Sequence, residues 1–326
     1  MQIFYRSILI LIIASVVGCV RSYDQTEAIR SLKVLNTDLT NLFLAANELP
    51  ETEALRFLWD QPTAPIPFPN EKFSYDKPYL SYSFETTKGV YTWDSISNSF
   101  IRESDYPEVS VLFSGQSFNE ANFRISEFES LALSSRPEFP VLMEAVMIID
   151  KQQKLRISHT ASIADELPLT INTKISGTNY EFTESFNRTR IRDEEGDKGT
   201  ISSQFIMSYD KDQIIDFSLQ STICYSTMGF YFDKIDFDIQ LFGHTISGKI
   251  DYGMIDPTAE DYAKSFNRNS SIEIFEGPLR RKVGRIILAS VKDGELLDYH
   301  IRFSNNKEEL LSDYLPIINK ILNIKL

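Results

Sequence analysis

The chain has 326 residues, of which 42% are apolar and 24% charged, and it carries a formal net charge of −13. That length and composition match ordinary soluble structure, one large or two modest domains with a sizeable core. The acidic balance repels phosphate backbones, which excludes nucleic acid as a partner, and it repels anionic membrane faces as well.

The first element is a secretory signal. Arg6 supplies a positive start, Ile8 to Val17 is apolar apart from Ser15, and the small residue Gly18 precedes Cys19. The apolar stretch is about half of the roughly 20 residues that a spanning helix needs. Val16-Val17-Gly18-Cys19 resembles the bacterial lipobox, although Val16 stands where Leu is usual. The resemblance implies cleavage before Cys19, a diacylglycerol on its thiol and acylation of the new amino group. One acyl chain binds a membrane only marginally, whereas two or three hold it for good. The membrane is therefore the expected partner, through lipid on Cys19. Val20 stands where an Asp would signal inner-membrane retention, which points to the outer membrane. Removing residues 1–18 takes away Arg6 and leaves the mature chain about one charge more acidic.

The expected organisation is a signal peptide over residues 1–18 and the lipidated cysteine with a short tether over 19–26. A single β-rich domain then covers 27–326, with a possible division into two subdomains near residue 168. Apolar residues recur at Ile29, Leu32, Leu35, Leu39, Leu42, Ala46 and Leu49. Steps of three and four predict a helix, laid against the domain's own sheet rather than a coiled-coil partner. A second short helix is expected over Glu51 to Trp59. Prolines 62, 65, 67 and 69 then favour an extended connector.

From Tyr79 to Phe303 the period becomes two. Leu155, Ile157, His159, Ala161 and Ile163 alternate with polar residues, as do Ile201 to Tyr209, Ile215 to Leu219, Ile235 to Leu241 and Leu297 to Phe303. Strands wet on one face read this way, and antiparallel sheets supply them. Asp150 to Gln153, Asp210 to Asp212 and Lys292 to Glu295 are hairpin-length breaks. Asp193 to Gly199 reads as a longer polar loop. A closing helix is expected over about Lys307 to Ile324, capped by Asn305 or Asn306. The fold class is α+β: an N-terminal helix pair, roughly ten to twelve strands in a curved, predominantly antiparallel sheet or half-barrel, and a C-terminal helix.

Little in the chain points to catalysis. His159, His244 and His300 are far apart and lack a local metal-binding spacing. The nucleophile elbow, the phosphate loop and the dinucleotide fingerprint are absent. The acidic runs Asp193 to Asp197 and Asp233 to Asp238 lack the twelve-residue calcium-loop spacing. Cys224, left without a partner in the chain if Cys19 is lipidated, lies in an apolar run and reads as an inert thiol. Asn187-Arg-Thr189 and Asn269-Ser-Ser271 are formal sequons. Ser185-Phe-Asn-Arg188 echoes Ser265-Phe-Asn-Arg268, at a spacing that suggests chance. No catalytic, cofactor-binding or metal-binding residue and no cofactor is expected; the one assigned site is the lipid attachment at Cys19.

Gly89-Val-Tyr-Thr-Trp93-Asp94, Val109 to Phe113, Asn119-Glu-Ala-Asn122 and Gly248-Lys-Ile-Asp-Tyr-Gly253 resemble a pattern of uncharacterised Bacteroidota envelope lipoproteins. Asp94-Ser95-Ile96 is similar to the O-glycosylation sequon of such proteins. The resemblance carries no catalytic residues. The expected function is therefore that of a non-enzymatic, membrane-anchored binding protein of the outer envelope. Its expected ligand is a lipid or another hydrophobic molecule, by analogy with carriers whose sheet shelters acyl chains. The alternative is a surface adhesion or glycan-binding protein, suggested by the 12% aromatic content and by Trp93.

Overall fold

A computed structural model of the chain describes residues 22–67, 82–131, 139–193, 196–226, 229–290 and 297–322. The expected signal, Cys19, the first part of the expected tether, Pro69 and the break at Lys292 to Glu295 lie outside the described residues.

Strands β1 (Gly89–Asp94), β2 (Ser99–Ser104), β3 (Val109–Phe113), β4 (Ala121–Leu131), β5 (Phe139–Ile149), β6 (Gln152–Ala164), β7 (Leu167–Ser176) and β8 (Tyr180–Asp193) form the first half of a sheet. The second half is β9 (Gly196–Tyr209), β10 (Asp212–Ser226), β11 (Gly229–Leu241), β12 (His244–Asp251), β13 (Ser270–Glu276), β14 (Arg281–Ser290), β15 (Leu297–Arg302) and β16 (Glu308–Leu310). The sheet order runs from β16 down to β3 in sequence order and ends β3-β1-β2, so the sheet is open and has two edges. It is mainly antiparallel, with β1 parallel to β3.

Two-residue turns join many of the strands. Asp150-Lys151, Asp165-Glu166, Asp210-Lys211 and Phe242-Gly243 all have positive φ at both residues, between 46° and 78°. That is the type I′ arrangement, whose twist matches that of the flanking strands. Asp165-Glu166 joins β6 to β7, so residue 168 falls inside β7. Asp193 to Gly199 is not the long loop expected: β8 runs to Asp193 and β9 resumes at Gly196, because Arg190 and Arg192 hold Asp197 across the hairpin.

The chain divides into two compact units. One comprises residues 42–189 and 201–214, the other residues 1–41, 190–200 and 215–326. In the first unit, helix α2 (Pro50–Asp60) buries Ala54 and Leu58 in a core with Val109, Val111, Phe123, Ile125, Ala145, Met147 and Leu155. Pro50 suits the first turn, where its missing N–H costs nothing. Phe57 stacks on Phe113 at 5.1 Å and meets the edge of Trp93 at 5.1 Å. Two first-turn glutamates also tie this helix to loops: Glu51 accepts from the Thr178 N–H at 3.1 Å, and Glu53 accepts from the Gln116 N–H at 2.6 Å. A four-residue helix α3 (Phe84–Thr87) leads into β1.

In the second unit, helix α1 (Gln25–Asn47, the unit holding it as far as Asn41) buries Ala28, Leu32, Leu35 and Leu39. Those four positions face Ile246, Ile272, Ile274, Ile286 and Ile301 in one core. Tyr23 already belongs to the fold, its N–H donating to the Lys282 carbonyl at 3.0 Å. Helix α4 (Tyr262–Arg268) is capped by Asp261, which accepts from the Lys264 N–H at 2.9 Å.

The C-terminal expectation needs correction. Among the described residues helix α5 (Pro316–Leu322) starts nine residues later than expected, and Glu308–Leu310 is the edge strand β16 on β15; the expected end at Ile324 lies outside the described residues. Asn305 caps a turn instead of a helix, accepting from the Lys307 N–H at 3.0 Å. Among the described residues the strands number sixteen rather than ten to twelve.

Candidate binding face and polar clamps

Alternate residues of neighbouring strands fall on one face, so register decides which side chains meet. Thr160 faces Asn172, which faces Ser185, while Ser158 faces Lys174, which faces Thr183. With Gln204 and Ile206 of β9, these residues line an open groove of about 290 Å³. With Thr173 and Glu184, which also line it, the groove brings together hydroxyls, amides, one ammonium group, one carboxylate and one aliphatic residue. Ser158 donates to Glu144, Lys174 pairs with Glu181 at 2.8 Å, and Ser162 and Thr170 are 2.6 Å apart. The opposite face of β6 to β8 carries Ile157, His159, Ile171, Ile175, Phe182 and Phe186. Ile175 and Phe182 pack on the core, and Ile171 and Phe186 are half-buried.

Two other grooves lie in the second unit. One, of about 430 Å³, is lined by Lys234, Asp236, Lys249, Asp251 and Arg268. The other, of about 360 Å³, is lined by Ser22, Lys282, Arg285 and Arg302. Polar residue types predominate along all three grooves, although the surface that the first groove exposes is more apolar than polar.

The residues singled out from sequence do not converge. His159 is half-buried, with Nδ1 3.0 Å from Thr173 Oγ1 and Nε2 3.3 Å from the Pro140 carbonyl. His300 lies on β15 in the other unit. Asp197 takes a bidentate grip from Arg190, at 2.8 and 2.5 Å, and two further bonds from Arg192, at 3.1 and 2.9 Å. Hydrogen bonding from Arg190 first, then the guanidinium charges, holds its carboxyl far below the usual range. A carboxylate neutralised in this way is poorly placed to bind calcium. Asp236 pairs with Lys249 at 3.1 Å, and Asp238 accepts from Ser247. Among the described residues no three His, Cys, Asp or Glu side chains cluster as a metal site.

Trp93 is a half-buried core residue that also meets Phe100 at 5.1 Å, so it is not the exposed platform that the glycan reading took as its motive. Asn122 and Gly248 are structural as well. Asn122 accepts from Ser110 at 3.0 Å, and Phe237 lies over Gly248 so closely that a Cβ there would meet its ring at 2.1 Å. Cys224 is half-buried opposite Tyr231. Ser95 is exposed on the β1–β2 turn, beside Ile96, which is 95% exposed. The echo between Ser185-Phe-Asn-Arg188 and Ser265-Phe-Asn-Arg268 has no structural counterpart, since the first lies in β8 and the second in α4.

Two clusters escaped the sequence reading. Arg188, 1% exposed, donates to the carbonyls of Pro168 at 2.8 Å and Ala164 at 2.6 Å, bracing the β6–β7 turn. The other joins Ser31 of α1 to His244 of β12, with Oγ 2.8 Å from Nε2 and Glu276 4.0 Å from that same nitrogen. The Ser–His distance suits a nucleophile and its base. The surroundings do not: Nδ1 faces the Phe242 carbonyl at 3.4 Å, and Ser31 and His244 are 6% and 3% exposed beneath a helix. Burial pushes the Glu276 carboxyl up. Hydrogen bonds from Ser31 and Tyr23, with the charges of His244 and Arg281, outweigh it and lower the pKa. The arrangement fastens helix to sheet. Ser31 and His244 are 213 residues apart, so no local motif could have announced the pair.

No protein-family model, curated protein or solved structure matches this chain.

Proposed function

We propose that the protein is a lipid-anchored, non-enzymatic binding protein of the bacterial outer envelope, held through Cys19, and that its ligand is hydroxyl-rich, of the glycan class. The observation that carries the ligand class is the polar face of β6 to β9. Ser158, Thr160, Asn172, Thr183, Ser185 and Gln204 offer donors and acceptors in rows, on rigid strands, around the single ammonium of Lys174. Strand-borne polar groups at fixed spacing suit a chain of hydroxyls lying across the groove, each contact contributing on the order of 1 kcal/mol. Cys19 and its preceding apolar segment support the anchor, as does the resemblance to envelope lipoproteins.

Two measurements test the reading. Replacing Cys19 with Ala and fractionating cells should release the protein from the membrane fraction; continued retention would sink the anchor. On a glycan array the parent should bind a restricted set of glycans and Asn172→Ala should lose most of that signal. Binding unchanged by Asn172→Ala, or no binding at all, would remove the ligand assignment.

A hydrophobic ligand is the second reading, favoured by the half-buried Ile171 and Phe186 on the opposite face of β7 and β8. It requires extractable lipid in the purified protein beyond the anchor itself, and mass spectrometry finding none would discard it.

A further inference from the structure

The chain enters its fold beside one hairpin. The Tyr23 N–H donates to the Lys282 carbonyl at 3.0 Å, and the Tyr23 carbonyl accepts from Ser304 Oγ at 2.8 Å. The Arg281 guanidinium lies over the Tyr23 ring, 3.9 Å from its centre. Cys19 precedes Tyr23 by four residues, a reach of at most about 14 Å even when fully extended. Whatever surface holds a lipid on Cys19 is therefore within that reach of the start of β14.

The hairpin joining β13 to β14 occupies that place. Pro278, Leu279 and Arg280 are exposed at its tip, Leu279 to 61%. Gly277 and Arg280 adopt the left-handed conformation that tightens the turn, and the Gly277 N–H is held by the Gly243 carbonyl at 2.8 Å. The tip is therefore a fixed shape. Arg280-Arg281-Lys282 is the longest run of cations in a chain of net charge −13. Arg280 rests on the Phe275 ring and donates to Ser247, Arg281 pairs with Glu27 at 3.4 Å, and Lys282 pairs with Glu273.

An exposed Leu flanked by Pro and three cations is the composition of a membrane-surface contact, apolar at the tip and basic behind it. Resting on the assignment of lipid to Cys19, we propose that the Pro278-Leu279-Arg280 tip is a second contact with the membrane that the lipid enters. Leu279 sits at the headgroup boundary and the exposed Arg280 meets anionic headgroups, with Arg281 and Lys282, each paired with a glutamate, behind it. One lipid leaves a domain free to swivel. A second point near it fixes which end of the strands faces the bilayer, and the local cations offset the repulsion that the acidic chain would otherwise meet.

The full lipidated chain can be reconstituted into phosphatidylcholine vesicles carrying roughly 30% phosphatidylglycerol, an anionic surface of the kind cationic segments seek, with brominated acyl chains as quencher. Leu279→Trp should be quenched about twofold more than Met254→Trp, since the boundary lies only about 5–10 Å deep. Met254 is 66% exposed and follows the far end of β12, whose near end at His244 pairs with Glu276. Both signals are read against the parent, which contains Trp59 and Trp93. Replacing Arg280, Arg281 and Lys282 by Gln in the Leu279→Trp protein should reduce its quenching in these vesicles. Equal quenching at positions 279 and 254 in protein that floats with the vesicles overturns the second contact and leaves the anchor standing. Protein that fails to float overturns both.

Discussion

The two units solve one problem, seating a helix on a sheet, by different means. Helix α1 has length to spare, and four buried positions over three turns dock it through aliphatic contact, with Ser31 and His244 as the polar fastening. Helix α2 has eleven residues and two buried aliphatic positions, Ala54 and Leu58. It compensates with Glu51 and Glu53, whose carboxylates take up backbone N–H groups of two loops, and with the aromatic set around Phe57. A helix too short to hold by area holds by charge-assisted hydrogen bonds to loops, and those same bonds order the loops.

Three substitutions probe that contrast. The largest effect is expected from Leu35→Ala, which opens a cavity under α1 and should cost about 3 kcal/mol. Hydrogen exchange should then quicken in β12 to β14 and stay as it was in β3 to β5; equal quickening in both would erase the distinction between the units. Glu51→Ala removes a buried carboxylate and strands the Thr178 N–H, for about 2 kcal/mol, with faster exchange at residues 177–179. No change there would mean that the glutamate is a passenger.

The smallest effect is expected from Glu53→Gln, about 1 kcal/mol at neutral pH. Its signature is the pH dependence. Hydrogen bonding from Ser117, against the opposing pull of burial and aided by the Gln116 and Ser117 N–H groups, lowers the Glu53 pKa from its ordinary value of 4.5. A lowered carboxylate pKa contributes stability that is complete above the unfolded value and is lost as pH falls through the folded one. Denaturation between pH 7 and pH 3 should therefore show a gap between the Glu53→Gln variant and the parent that is steady near neutrality and narrows as pH falls below 4.5. A constant gap across that range would show that the carboxylate charge is not what holds the loop.

Much of this architecture was legible. The period-two runs at Leu155 to Ile163 and Ile235 to Leu241 are strands, and Asp150 and Asp210 begin two-residue turns as their spacing suggested. Lys307 to Leu311 misled because Lys-Glu-Glu-Leu-Leu favours a helix locally, while pairing with β15 and the Asn305 turn favour a strand. The parallel pairing of β1 with β3 has no local signature. The polar face was half legible: each strand's alternation could be read, but that β6, β7, β8 and β9 lie side by side is a matter of topology. Arg188 could not be read at all, since its partners Ala164 and Pro168 are 24 and 20 residues away and are backbone carbonyls.

The sheet order bears on how the chain folds. From β3 to β16 every strand lies beside the next in sequence, so the sheet can grow one hairpin at a time, and such short-range pairing favours quick assembly. Helix α1 is the exception. It precedes every strand in the chain, yet its seat on β12 to β14 is made some two hundred residues later, as the separation of Ser31 and His244 records. The amino-terminal helix must therefore wait for β12 to β14, and the Tyr23 contacts are expected among the last to close in refolding.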